Sequence, residues 1–74
     1  MTNQVLIRNG AGEVKEYVNV LYCEQALRAR DKLPGIAIQY ASDDTDFVAH
    51  GDLLGVYPED SDREFTHKYE ELVN

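Results

Sequence analysis

Asp43, Asp44 and Asp46 fall within four residues of one another. Carboxylates at that spacing can share a hard cation through oxygen ligands. The rest of the segment does not complete a twelve-residue calcium loop. With Asp44 and Asp46 as the first two ligands, Val48 takes the third ligand position. Ala49 then stands where the turn needs glycine, and Gly55 replaces the closing carboxylate. His50 and His67 lack the spacing of a zinc pair on one helix, and Cys23 is the single thiol. Cys23 with either histidine is the one thiol–imidazole combination open to the chain. Cys23 falls on the apolar side of the helix expected there, which makes it a small core residue instead. Gly10-Ala11-Gly12 is too short for a phosphate loop and precedes a strand rather than a helix. Acid–base chemistry needs a cleft that separates the pKa values of two carboxyls. Carboxylates on a solvated surface do not have one. The sequence thus carries no catalytic motif and implies no cofactor, and the expectation is a protein that is not an enzyme.

The charge is one-sided. Residues 1–41 hold five bases and four acids, a net of +1, whereas residues 42–74 hold ten acids and two bases, a net of −8. Together they give the chain its −7. That field opposes phosphate contacts, so direct nucleic-acid binding is disfavoured. It favours a basic protein surface. The one cysteine excludes an internal disulfide, and a reducing cytoplasmic setting is the natural reading. No apolar run approaches the roughly 18–20 residues of a membrane span.

The elements that must carry these residues are short. Seventy-four residues make one domain, residues 1–74. Val5 and Ile7 alternate with Leu6 and Arg8, and Asn9-Gly10-Ala11-Gly12 supplies a tight turn. Val14, Val18 and Val20 then continue a half-buried strand, with Lys15, Tyr17 and Asn19 on the other face and Glu16 as the one misfit. From Tyr22 to Leu33 the spacing of Cys23, Ala26, Leu27 and Leu33 predicts a helix, supported by Glu24 four residues before Arg28. Pro34-Gly35 stops it. Gly35 to Ala41 reads as a strand. Ser42 to Asp46 reads as a polar loop, with a capped helix start as the alternative. Phe47–His50 and Leu53–Tyr57 read as strands around a Gly51-Asp52 turn. Ser61 and Glu64 have capping-box spacing, and Phe65, Tyr69, Leu72 and Val73 follow on one helical face. The expected fold is therefore α+β: a mainly antiparallel sheet of three to five strands, an N-terminal hairpin followed by a helix, and a C-terminal amphipathic helix.

The functional expectation is a small acidic protein–protein interaction module. Its site is Asp43, Asp44, Asp46, Asp52, Tyr57, Glu59 and Asp60. Tyrosine anchors the centre of such an interface and acids steer the encounter. The concrete form is a phage or mobile-element inhibitor whose carboxylates mimic nucleic acid on a basic host protein. The alternatives are a metal- or ligand-binding domain using the Asp43–Asp46 loop, and a homo-oligomeric accessory protein, in its simplest form a homodimer, built on an open sheet edge.

Overall fold

The computed structural model describes residues 2–59, 66–68 and 70–71. Five strands follow one another: β1 Asn3–Arg8, β2 Val14–Leu27, β3 Pro34–Tyr40, β4 Thr45–Ala49 and β5 Asp52–Pro58. They form one sheet in the order β4-β3-β2-β1-β5, with every pairing antiparallel.

The α+β expectation is corrected. The segment read as a helix over residues 22–33 is the second half of the long strand β2 and a turn. Leu27 pairs with Pro34 and Cys23 with Ile38, so a ladder to β3 takes the place of a helical ladder. Helix propensity is a weak preference that such pairing overrides. Nor does a C-terminal amphipathic helix complete the fold: among the described residues only 66–68 and 70–71 are helical. The expected cap at Ser61–Glu64 and the apolar face of Phe65, Tyr69, Leu72 and Val73 lie outside the described residues.

β2 is shared between two halves of the sheet. Its first half pairs with β1 and its second half with β3. The change comes at a bulge, where Asn3 faces Val20 but Val5 faces Tyr17. Asn19 adopts φ 60° there, a left-handed conformation that asparagine tolerates. The extra residue shifts the phase of the strand. Tyr17 and Val20 both turn inward, whereas Val18 is left 52% exposed. The expected valine face of Val14, Val18 and Val20 is therefore broken between Val18 and Val20.

The bend lets the sheet fold over on itself. Val5 and Ile7 of β1 share one buried cluster with Val20 of β2, Ile36 and Ile38 of β3 and Val48 of β4. Strands that are not neighbours can meet in this way only if the sheet curls into a partly open barrel. Leu6 is also fully buried, but it lies on the opposite face of β1 and outside that cluster. Among the described residues the buried ones are all apolar, as the hydrophobic effect favours in a small core.

The curl gives the barrel two ends. At one end the β2 bulge meets the β3–β4 turn and the end of β5. Ala41 donates its N–H to the Asn19 carbonyl at 2.9 Å, and the Glu59 N–H reaches the Thr2 carbonyl at 3.1 Å. At the other end the β1–β2 turn, the β2–β3 turn and the two-residue β4–β5 connection come together. Here His50 donates its N–H to the Pro34 carbonyl at 2.8 Å, and Gly10 lies against the His50 side chain.

Candidate functional site

The end with the β2 bulge is acidic. Asp43 and Asp44 occupy the β3–β4 turn, whose backbone is closed by Tyr40 N–H to the Asp44 carbonyl at 2.9 Å. Asp43 takes φ 72°, a turn conformation open to aspartate. Ser42 Oγ donates to Asp44 Oδ2 at 3.0 Å and steadies that carboxylate. Asp46 stands at the start of β4 opposite Ile38, so it shares the inward face at the sheet edge. Among the described residues, none of Asp43, Asp44 and Asp46 makes an ion pair. Glu59 lies at the same end. Its carboxylate accepts the Thr2 hydroxyl at 2.6 Å and the Asn19 N–H at 3.0 Å, and these bonds hold it below the ordinary carboxylate range.

The five Lys and Arg residues within 2–59 cluster toward the opposite end. Arg8 ends β1 opposite Val14, and Lys15 follows on β2. Arg28, Arg30 and Lys32 stand in or beside the β2–β3 turn. Arg28 grips Asp31 with two guanidinium nitrogens at 3.1 and 2.8 Å and lies 5.3 Å above the Phe47 ring. Asp31 in turn accepts the Leu33 N–H at 3.2 Å. The Arg28–Asp31 hydrogen bond is the first cause that raises the proton affinity of Arg28 and lowers that of Asp31. Arg30 and Lys32 remain exposed.

The structure therefore brings together only part of the sequence-derived site. Asp43, Asp44, Asp46 and Glu59 share one end. Asp52 begins β5 at the basic end, opposite Arg8. It borders an open depression of about 660 Å³ with Gln25, Leu27, Pro34 and His50. Tyr57 lies on the outer face of β5, with its ring over Gly55. Asp60 lies outside the described residues.

Sequence reasoning missed Tyr17. Tyr17 of β2 and Tyr40 of β3 both pack against the core from the acidic end. Tyr40 Oη donates to Asp46 Oδ2 at 3.4 Å. Burial, and then the Asp46 charge, push the Tyr17 phenol up. Tyr40 is raised by the same two causes in the same order, then by its hydrogen bond to Asp46 and by Tyr17. The signal that could have found Tyr17 was the misfit Glu16, which marks the residues beside it as the inward ones.

Cys23 is half-buried against the core, where burial pushes its thiol up and away from the reactive thiolate. Among the described residues no group of three or more His, Cys, Asp or Glu side chains can hold a metal ion, which leaves the Asp43–Asp46 metal reading without a site there. No helix of the described residues is long and apolar enough to cross a membrane.

No protein-family model, no curated protein and no solved structure matches this chain.

Proposed function

We propose that this protein is a non-catalytic interaction module, working in a reducing cytoplasm, that docks the acidic end of its barrel on a basic protein surface. One observation carries the reading. Glu59 folds to the same end as the Asp43, Asp44 and Asp46 cluster, from which it is distant in sequence, while the Lys and Arg residues of 2–59 cluster toward the other. A molecule polarised in this way is steered by its field before contact and presents one end to a cationic partner. The turn that carries Asp43 and Asp44 is tied by backbone hydrogen bonds, so little ordering remains to oppose binding. A phage or mobile-element inhibitor of a nucleic-acid-binding host protein is the concrete form we favour, because such proteins offer strongly basic grooves.

The test is affinity capture from cell lysate with the native chain and with the Asp43→Asn, Asp44→Asn, Asp46→Asn triple variant. Each captured protein is then purified and its affinity measured against salt. The reading expects basic partners, binding that weakens steeply with salt, and loss of binding in the triple variant. Partners that are retained by the variant and indifferent to salt would overturn it.

A further inference from the structure

Three strands deliver Tyr17, Tyr40 and Asp46 to one mouth of the barrel. Tyr17 faces inward opposite Val5, Tyr40 opposite Val20 and Asp46 opposite Ile38. The core supports both rings from below, yet both remain partly exposed. Asp46 is exposed above them and hydrogen-bonded to one of them.

We propose that Tyr17, Tyr40 and Asp46 receive a single cationic side chain, a lysine or arginine of the docking partner. The inference rests on acidic-end docking and names its anchor. Aromatic faces attract a cation through the ring quadrupole, and the attraction grows as water is removed. The rings cover the apolar stem of the incoming side chain while the carboxylate meets its charged head. Asp46 has room for this role. Its Oδ1 accepts the Phe47 N–H at 2.7 Å and its Oδ2 the Tyr40 hydroxyl at 3.4 Å, whereas an ionised carboxylate offers about four acceptor positions. Asp46 has no cationic partner among the described residues. That the Asp46 charge raises both phenols shows the three groups to be within electrostatic reach of one another. Asp43 and Asp44, on the adjoining turn, add a field that draws the cation in without touching it.

The experiment titrates the full-length, isotope-labelled protein with Nα-acetyl-lysine methylamide and follows its amide resonances. Nα-acetyl-norleucine methylamide, which keeps the stem and lacks the ammonium, serves as control. The proposal expects shifts centred on Tyr17, Tyr40 and Asp46 with the lysine compound and none with norleucine. Tyr40→Leu should weaken binding about tenfold, whereas Tyr40→Phe, which keeps the ring, should stay within about twofold. Asp43→Asn with Asp44→Asn should cost only about twofold, as a screened long-range effect. Equal shifts with both compounds on the native protein would overturn the proposal, as would shifts that follow Asp43 and Asp44 and ignore the rings. Its failure is separable from that of the docking reading: a captured basic partner that binds Tyr40→Leu undiminished removes the anchor and leaves acidic-end docking in place.

Discussion

The Glu59 carboxylate accepts the backbone N–H of Asn19 at 3.0 Å across 40 residues of chain. Asn19 is the bulge residue at which β2 passes from one half of the sheet to the other. The same carboxylate takes the Thr2 hydroxyl at 2.6 Å. One side chain thus ties the end of β5 to the start of β1 and to the bend in β2.

This tie has a pH signature. The Thr2 hydroxyl first, and the Asn19 N–H second, hold the Glu59 carboxyl below its ordinary value. A carboxyl depressed in the folded state stabilises the fold above its unfolded pKa, and the contribution is lost as pH falls through the folded value. Glu59→Gln is expected to flatten the acid side of the stability curve and to speed hydrogen exchange at the Asn19 amide. Unfolding midpoints over an acidic pH series check this, and an unchanged acid limb would refute it.

Two glycines separate a steric requirement from a conformational one. A Cβ on Gly35 would lie 2.6 Å from Phe47 Cζ and closer still to the Val48 carbonyl oxygen. Gly35→Ala should cost about 1–3 kcal/mol, a large share of the few kcal/mol a domain this small holds. Gly12 has open space around it but takes φ 86°. Gly12→Ala should cost about 1 kcal/mol and Gly12→Asn less, because asparagine tolerates the left-handed region. Chemical denaturation of the three variants checks the order.

At alkaline pH the tyrosines govern. Tyr17 and Tyr40 are raised above the ordinary phenol, chiefly by burial and then by Asp46. The folded state therefore prefers them protonated. Their contribution is complete below the unfolded pKa and is lost as pH rises through the folded values. Near-ultraviolet titration should show Tyr17 and Tyr40 ionising above the ordinary phenol range, together with a fall in stability. Tyr17→Phe and Tyr40→Phe should each remove one late step.

Asp46 also guards an edge. β4 is the last strand on its side of the sheet, and Asp46 Oδ1 occupies the Phe47 N–H at 2.7 Å. Charged residues and occupied donors on an edge strand discourage pairing between molecules. Asp46→Ala is expected to produce concentration-dependent dimers or larger species by light scattering, while Asp43→Ala leaves the molecular mass unchanged. A strictly monomeric Asp46→Ala would show that the edge is protected by other means.

Much of the sheet was legible in the chain. The Asn9-Gly10-Ala11-Gly12 turn, the strand after Pro34 and the two strands around Gly51 all fall close to their expected positions. The second half of β2 was not. Tyr22, Glu24 and Gln25 are all exposed, so no apolar alternation marks the strand, while Glu24 and Arg28 mimic a helical pair. What makes this segment a strand is its partner β3, and local propensity carries no record of that pairing. The acidic turn at Asp43–Asp44 was legible as composition. The position of Asp52 was not, because two residues carry the chain from one edge strand of the sheet to the other and put it beside Arg8. Tyr17 was hidden by the bulge that changes which face of β2 points inward.

The strand order also governs assembly in time. β1 lies between β2 and β5, so during synthesis it waits for the later strand β5 to gain its second partner. Asn3 cannot meet Pro58 until the intervening chain has been made. Until then one flank of β1 is an open template, and closing so long a loop is a slow step in folding. A ribosome that stalls before β5 therefore leaves behind four strands with Val5, Leu6 and Ile7 on an unsealed flank, a nascent chain suited to recognition by chaperones and proteases.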